Sequence, residues 1–135
     1  MVVVEGEAWV DGGVGGQAAA LTVPDKVLDE AQALLSQARS QFVDLRDIRE
    51  LYRTGVIPGA FSCPRGMLEF WIDPQSPYHK DVFNQDKTYV FYCASAWRSA
   101  LSAKLAQDMG LGPVAHIEGG FTAWVKNDGP IEQVD

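Results

Sequence analysis

Cys93 follows the run Thr88-Tyr89-Val90-Phe91-Tyr92, all β-branched or aromatic and the clearest strand signal in the chain. Behind it come Ala94, Ser95, Ala96, Trp97, Arg98 and Ser99, most of them small, and then a helical pattern. Open α/β sheets bind ligands beyond the carboxyl ends of their strands, which is where this thiol would lie. Small residues let the backbone curl and aim several N–H groups inward, and such a nest, backed by a helix N-terminus, stabilises negative charge. The thiolate is the nucleophilic form of cysteine, so this arrangement would activate Cys93. Arg98 adds a fixed positive charge. No His or Asp adjoins Cys93 in sequence, which leaves the activation to the backbone. The plainer reading of the same residue is a small buried hydrophobe at a strand end.

Other chemistry-bearing residues read less specifically. Arg65 is either an anion-binding group at the rim of the Cys93 pocket or a solvated surface arginine. Asp44, Arg46 and Glu50 read as a structural ion-pair network. Cys63, in Ser62-Cys63-Pro64, reads as a buried thiol, with a disulfide partner for Cys93 as the alternative. His79 and His116 have no partner at metal-ligand spacing. Gly13-Val14-Gly15-Gly16-Gln17-Ala18 fits the relaxed dinucleotide pattern G-x-G-x-x-A. That motif needs a strand before it and a long helix after it, and Pro24 intervenes, so a flexible segment is expected.

The elements that must position Cys93 follow from the patterning. With 135 residues, 47% hydrophobic and 21% charged, the chain has room for one folded domain. A net charge of −7 and the lack of a basic run argue against nucleic acid as a partner. No stretch is long and apolar enough to span a bilayer, and the first residues lack a secretory signal's pattern, so the cytoplasm and free thiols are expected. Residues 1–21 read as a glycine-rich tail and 22–135 as the domain. Thr22 and Pro24 mark a helix start, with Leu28, Ala31, Leu35 and Ala38 on one face. Strands are expected at Phe42–Leu45, Ala60–Ser62, Thr88–Tyr92 and Val114–Ile117. Helices are expected at Ile48–Arg53, Pro64–Trp71, Ser99–Met109 and after Gly119-Gly120. In the third of these, Leu101, Leu105 and Met109 share a face. Phe121 and Trp124 are core anchors for the last. The alternation implies an α/β fold, a central parallel sheet with helices on both faces.

Four segments in order carry a family resemblance. Cys93-Ala94-Ser95-Ala96-Trp97-Arg98-Ser99 resembles the C-x-x-G-x-R-S loop of single-domain rhodanese-like sulfurtransferases. Asp44-Leu45-Arg46 with Glu50, Gly55-Val56-Ile57-Pro58-Gly59-Ala60, and Gly119-Gly120-Phe121-Thr122-Ala123-Trp124 match other parts of the same pattern. The resemblance spans about residues 23–131. It implies a rhodanese-like fold in which Cys93 accepts sulfane sulfur from thiosulfate or a persulfide, and the N–H groups from Ala94 to Ser99 cradle it. A thiophilic acceptor then takes the sulfur, and no metal or organic cofactor is implied. Partners are a small sulfur-containing anion or persulfide, or a protein that gives or takes sulfur.

Two departures stand out: Ala96 occupies a loop position usually held by glycine, and Val56 one often held by histidine. The loop offers no basic side chain besides Arg98, so a persulfide is the expected donor over thiosulfate. Trp97 is either a pocket wall or an exposed docking residue. Non-catalytic interaction modules of this family usually lack the cysteine, which Cys93 retains. Phosphatases and arsenate reductases of related fold place five residues between Cys and Arg. Here four residues do so, a tighter ring suited to one sulfur atom.

Overall fold

The computed structural model describes residues 2–4, 33, 35 and 38–134. The glycine pattern at 13–18 and the helix start at Thr22 lie outside the described residues. Of the helical face expected at Leu28, Ala31, Leu35 and Ala38, Leu35 is helical and partly buried, whereas Ala38 lies in an exposed turn before β2; the other two lie outside the described residues.

Five strands form one sheet: β1 (Val2–Val4), β2 (Ser40–Asp44), β3 (Phe61–Ser62), β4 (Thr88–Tyr92) and β5 (Val114–Ile117), in the order β1-β5-β4-β2-β3. Strands β2 to β5 are parallel, and β1 lies antiparallel on the edge of β5, a pairing not expected of residues in a tail. Tyr89, Val90, Phe91 and Tyr92 are all fully buried, because helices cover a central parallel strand on both faces. The register pairs Val43 with Phe91 and Asp44 with Tyr92, so β2 and β4 end level. Leu45 N then donates to Tyr92 O at 2.9 Å, and Cys63 N to Asp44 O at 2.8 Å. The residues just beyond the three strands, Leu45 and Arg46 after β2, Cys63 after β3 and Cys93 after β4, therefore leave the same edge of the sheet.

The described helices of more than one turn are α1 (Ile48–Thr54), α2 (Leu68–Ile72), α3 (Trp97–Asp108) and α4 (Gly120–Lys126). Helix α1 starts on a capping box. Asp47 accepts from Arg49 N at 2.8 Å and Glu50 N at 3.3 Å, while Glu50 Oε2 accepts from Asp47 N at 3.1 Å. The helix expected at Pro64–Trp71 is split: a 3-10 turn at Arg65–Met67 leads into α2.

Helix α3 buries a different face from the expected one. Leu101 and Met109 are exposed, and Ser99, Ala100, Ser102, Ala103 and Ala106 are buried. Small side chains let the helix axis lie close on β4 and β5, and of the expected stripe Leu105 alone packs partly buried against the core. Helix α4 is anchored as expected by Phe121 and Trp124, both buried. Trp124 Nε1 donates to Pro130 O at 2.7 Å, and its ring meets Phe42 edge-on at 6.2 Å. Among the described residues no helix is long and apolar enough to cross a membrane.

Candidate active site

Cys93 sits in the first turn of chain beyond β4, with 1% of its surface exposed. Two peptide groups aim at its sulfur: Ala96 N lies 3.2 Å from Sγ and Ser99 N 3.4 Å. The thiol in turn donates to Ser99 Oγ at 3.7 Å, and that hydroxyl donates to Ala96 O at 3.1 Å. Helix α3 begins at Trp97, so its N-terminal turn backs the sulfur. The loop thus curls into a tight ring that aims two N–H donors at one atom, and negative charge on that atom meets partial positive charge.

The ring requires an unusual backbone. Ala96 adopts φ 132°, a region that favours glycine. Holding alanine there costs about 1–3 kcal/mol, and the surrounding structure sustains it because its N–H must face the sulfur.

Arg98 is not a free anion clamp. Its Nη1 and Nη2 donate to both oxygens of Glu50, at 3.1 and 3.0 Å. Glu50 holds the guanidinium above its ordinary pKa, and the neighbouring Cys93 sulfur adds to the effect. The capping box that starts α1 fixes Glu50, so α1 orients the arginine of the loop. Behind it, Arg46 is 2% exposed and forks onto Asp44, with Nε–Oδ1 3.0 Å and Nη2–Oδ2 2.7 Å. The same guanidinium lies 4.1 Å from the Phe121 ring centroid, and Phe121 stacks on Tyr92.

The pattern of the Rhodanese-like domain matches residues 27–127 of this sequence. The chain belongs to the rhodanese-like domain family. A solved structure from Rhodopseudomonas palustris, described as a protein of unknown function and possible tyrosine phosphatase, is 56% identical; the match covers 83% of this chain and 96% of that one, with a TM-score of 0.74. A rhodanese-like domain protein from Staphylococcus aureus is 29% identical over 80% of this chain and 95% of its own, with a TM-score of 0.62. The human single-domain sulfurtransferase shares the fold at 24% identity and a TM-score of 0.65, over 76% of this chain and 95% of that one. No curated protein matches the sequence.

In this rhodanese-like domain the loop is clamped from a second side by α4. Phe121 N donates to Cys93 O at 2.8 Å and Thr122 N to Ala94 O at 3.0 Å. That approach requires Gly120, at φ +62°, because a Cβ there would stand 2.5 Å from Cys93 O and 2.7 Å from Ala94 O. Gly120→Ala is therefore expected to push α4 off the loop. It should cost about 2–3 kcal/mol in urea unfolding, through backbone strain and overpacking, and slow any Cys93-dependent reaction. Unchanged stability in that variant would show that the clamp is not needed.

The remaining sequence candidates fall in distinct places. Ala94 is partly buried, Ser95 is exposed and Trp97 is 60% exposed, which leaves its ring open to a partner. Arg65 Nη1 pairs with Glu69 one turn on, at 2.9 Å, as a surface arginine does. Cys63 is fully buried in the core; burial pushes its thiol up to about 12, which suits an inert packing role. Burial also holds His116 down to about 4, neutral at physiological pH. Among the described residues no three His, Cys, Asp or Glu side chains stand together as a metal site.

One residue of the site is absent from the sequence reading. Arg53 lines a cleft of about 140 Å³ beside the loop, together with Glu50, Thr54, Ala94 and Thr122. In sequence it is an ordinary surface arginine on α1, and only the packing of α1 beside Ala94 brings it to the loop. Counting cations within the loop alone could not find it.

Proposed function

We propose that this protein is a sulfurtransferase that carries sulfane sulfur as a persulfide on Cys93. The observation that supports it most is the convergence of Ala96 N and Ser99 N on one sulfur atom, at 3.2 and 3.4 Å. The Cys93 thiolate attacks the outer sulfur of the donor. The new bond is Cys93 Sγ–S, and the donor's S–S bond breaks with its electron pair leaving on a thiolate or on sulfite. An acceptor thiolate or cyanide then attacks that outer sulfur and returns the electron pair to Cys93 Sγ. The two N–H donors, Ala96 N and Ser99 N, favour negative charge on Cys93 at both ends of the cycle. All atoms come from donor, cysteine and acceptor, so the cycle calls for no cofactor.

The rival reading is phosphoryl chemistry, prompted by the 56% identical protein described as a possible tyrosine phosphatase. Two features favour sulfur. Four residues lie between Cys93 and Arg98, giving a ring around a single atom, and both terminal nitrogens of Arg98 are engaged by Glu50. A phosphoryl group would need a wider loop and an arginine free to fork onto two of its oxygens.

Reduced protein mixed with thiosulfate or glutathione persulfide should gain the mass of one sulfur atom on the peptide holding Cys93. Dithiothreitol should remove it. Under the same conditions p-nitrophenyl phosphate should not be hydrolysed. Cys93-dependent phosphate release without any sulfur gain would replace this reading with the phosphatase one.

A further inference from the structure

The charges around the cleft beside the loop do not cancel. Arg46 is neutralised by Asp44, and Arg98 by Glu50, whose Oε2 also takes the N–H of Asp47. Arg53 is exposed and enters no ion pair or side-chain hydrogen bond among the described residues. In a chain of net charge −7, the cleft beside Ala94 thus keeps, among the described residues, a cation without an ion-pair partner. The same cleft is lined by the exposed Thr122, whose N–H holds Ala94 O at 3.0 Å. The opening, about 140 Å³, has the liquid volume of roughly five waters, room for a short organic chain.

We propose that this cleft reads a carboxylate on the small thiol that takes sulfur from Cys93, with Arg53 as the residue that sets specificity; this rests on the persulfide reading above. One cation matches one carboxylate. Ala94 adjoins both Cys93 and the cleft, so a molecule whose carboxylate meets Arg53 brings its sulfur toward the loop. In the transfer the acceptor thiolate bonds to the outer sulfur of the Cys93 persulfide, the Cys93 S–S bond breaks, and Cys93 leaves as thiolate. The products are an acceptor persulfide that retains its carboxylate and the free enzyme. The reverse step makes a carboxylate-bearing persulfide a donor through the same cleft.

The test is a single-turnover discharge of sulfur-loaded protein by 3-mercaptopropionate and by 3-mercapto-1-propanol, which differ in a carboxylate against a hydroxyl. The ratio of the two rates is measured in the parent, in Arg53→Gln and in Arg53→Glu, so that differences in intrinsic thiol reactivity cancel between proteins. An exposed charge pair in a partly enclosed site should shift this ratio by about threefold to tenfold. The ratio should fall by that factor in Arg53→Gln and fall further in Arg53→Glu. Mass analysis before discharge confirms loading in each protein. Loading with a ratio unmoved in both variants would overturn the assignment of Arg53 and leave the persulfide reading standing. Failure of the parent to load at Cys93 would overturn both.

Discussion

Cys93→Ser is expected to leave thiocyanate formation from thiosulfate and cyanide below detection, a fall of at least about 10⁴-fold, as when a nucleophile is removed from a covalent mechanism. Serine has the size to stay in the ring, and its oxygen can accept from Ala96 N and Ser99 N as the sulfur does. It has no sulfur with which to form a persulfide and is too weak an acid to supply an anion at neutral pH. The fold should persist, because exchanging one buried acceptor for another within the same hydrogen bonds changes stability by about 1 kcal/mol or less. The pairing of lost turnover with retained stability separates a chemical role from a packing role. If Cys93 were merely a small core residue, the variant would lose stability and keep whatever activity the protein has. Sulfur transfer near the parental rate in a folded Cys93→Ser protein would sink the assignment.

Much of this site was legible in the sequence because its parts are local. The strand Thr88–Tyr92 announces itself by β-branched and aromatic composition, and Cys93 must follow wherever it ends. The small loop residues foretell a tight backbone, and Ala96 in place of glycine foretells the strain seen at φ 132°. What was not legible depends on packing between elements. The apolar stripe of α3 misplaced Leu101 and Met109, which are exposed while Leu105 is partly buried, because alanine and serine can be preferred where a helix must approach a sheet closely. Periodicity identifies a face but not which of two faces turns inward when one is large and the other small. Arg98 promised a free cation, yet Glu50, 48 residues away in sequence, absorbs its charge. Arg53 gave no signal at all, since its place beside Ala94 is set by the register of β2 on β4 and the direction in which α1 leaves that edge.

Removal of the Arg46 side chain should have the largest effect on stability. Its guanidinium is buried and has a partner on every side. Besides the fork onto Asp44, Nη1 donates to Thr54 Oγ1 at 2.9 Å and Nη2 to Gly55 O at 2.7 Å. It therefore ties the end of β2 to the end of α1 while Phe121 of α4 covers it. Arg46→Met would keep most of the packing volume and leave the Asp44 carboxylate, 1% exposed, with its main counter-charge gone. Breaking a buried pair from one side typically costs about 3–5 kcal/mol, a large share of the roughly 5–15 kcal/mol that holds such a domain folded. Arg46→Lys should recover only part of this, because an ammonium keeps the charge but cannot reproduce the fork. Changing both partners, Asp44→Leu with Arg46→Met, should restore stability toward the parent, since no uncompensated charge is then buried. Function adds a second readout. Arg46 lies beneath both α1, which holds Arg98 through Glu50, and α4, which clamps Cys93 O. The double variant should accordingly regain stability more fully than sulfur-transfer rate. Urea unfolding and transfer rates at a temperature where every variant is folded provide the comparison. Arg46→Met within about 1 kcal/mol of the parent would mean that Asp44 is satisfied without its partner, and the tie between β2, α1 and α4 would lose its energetic basis.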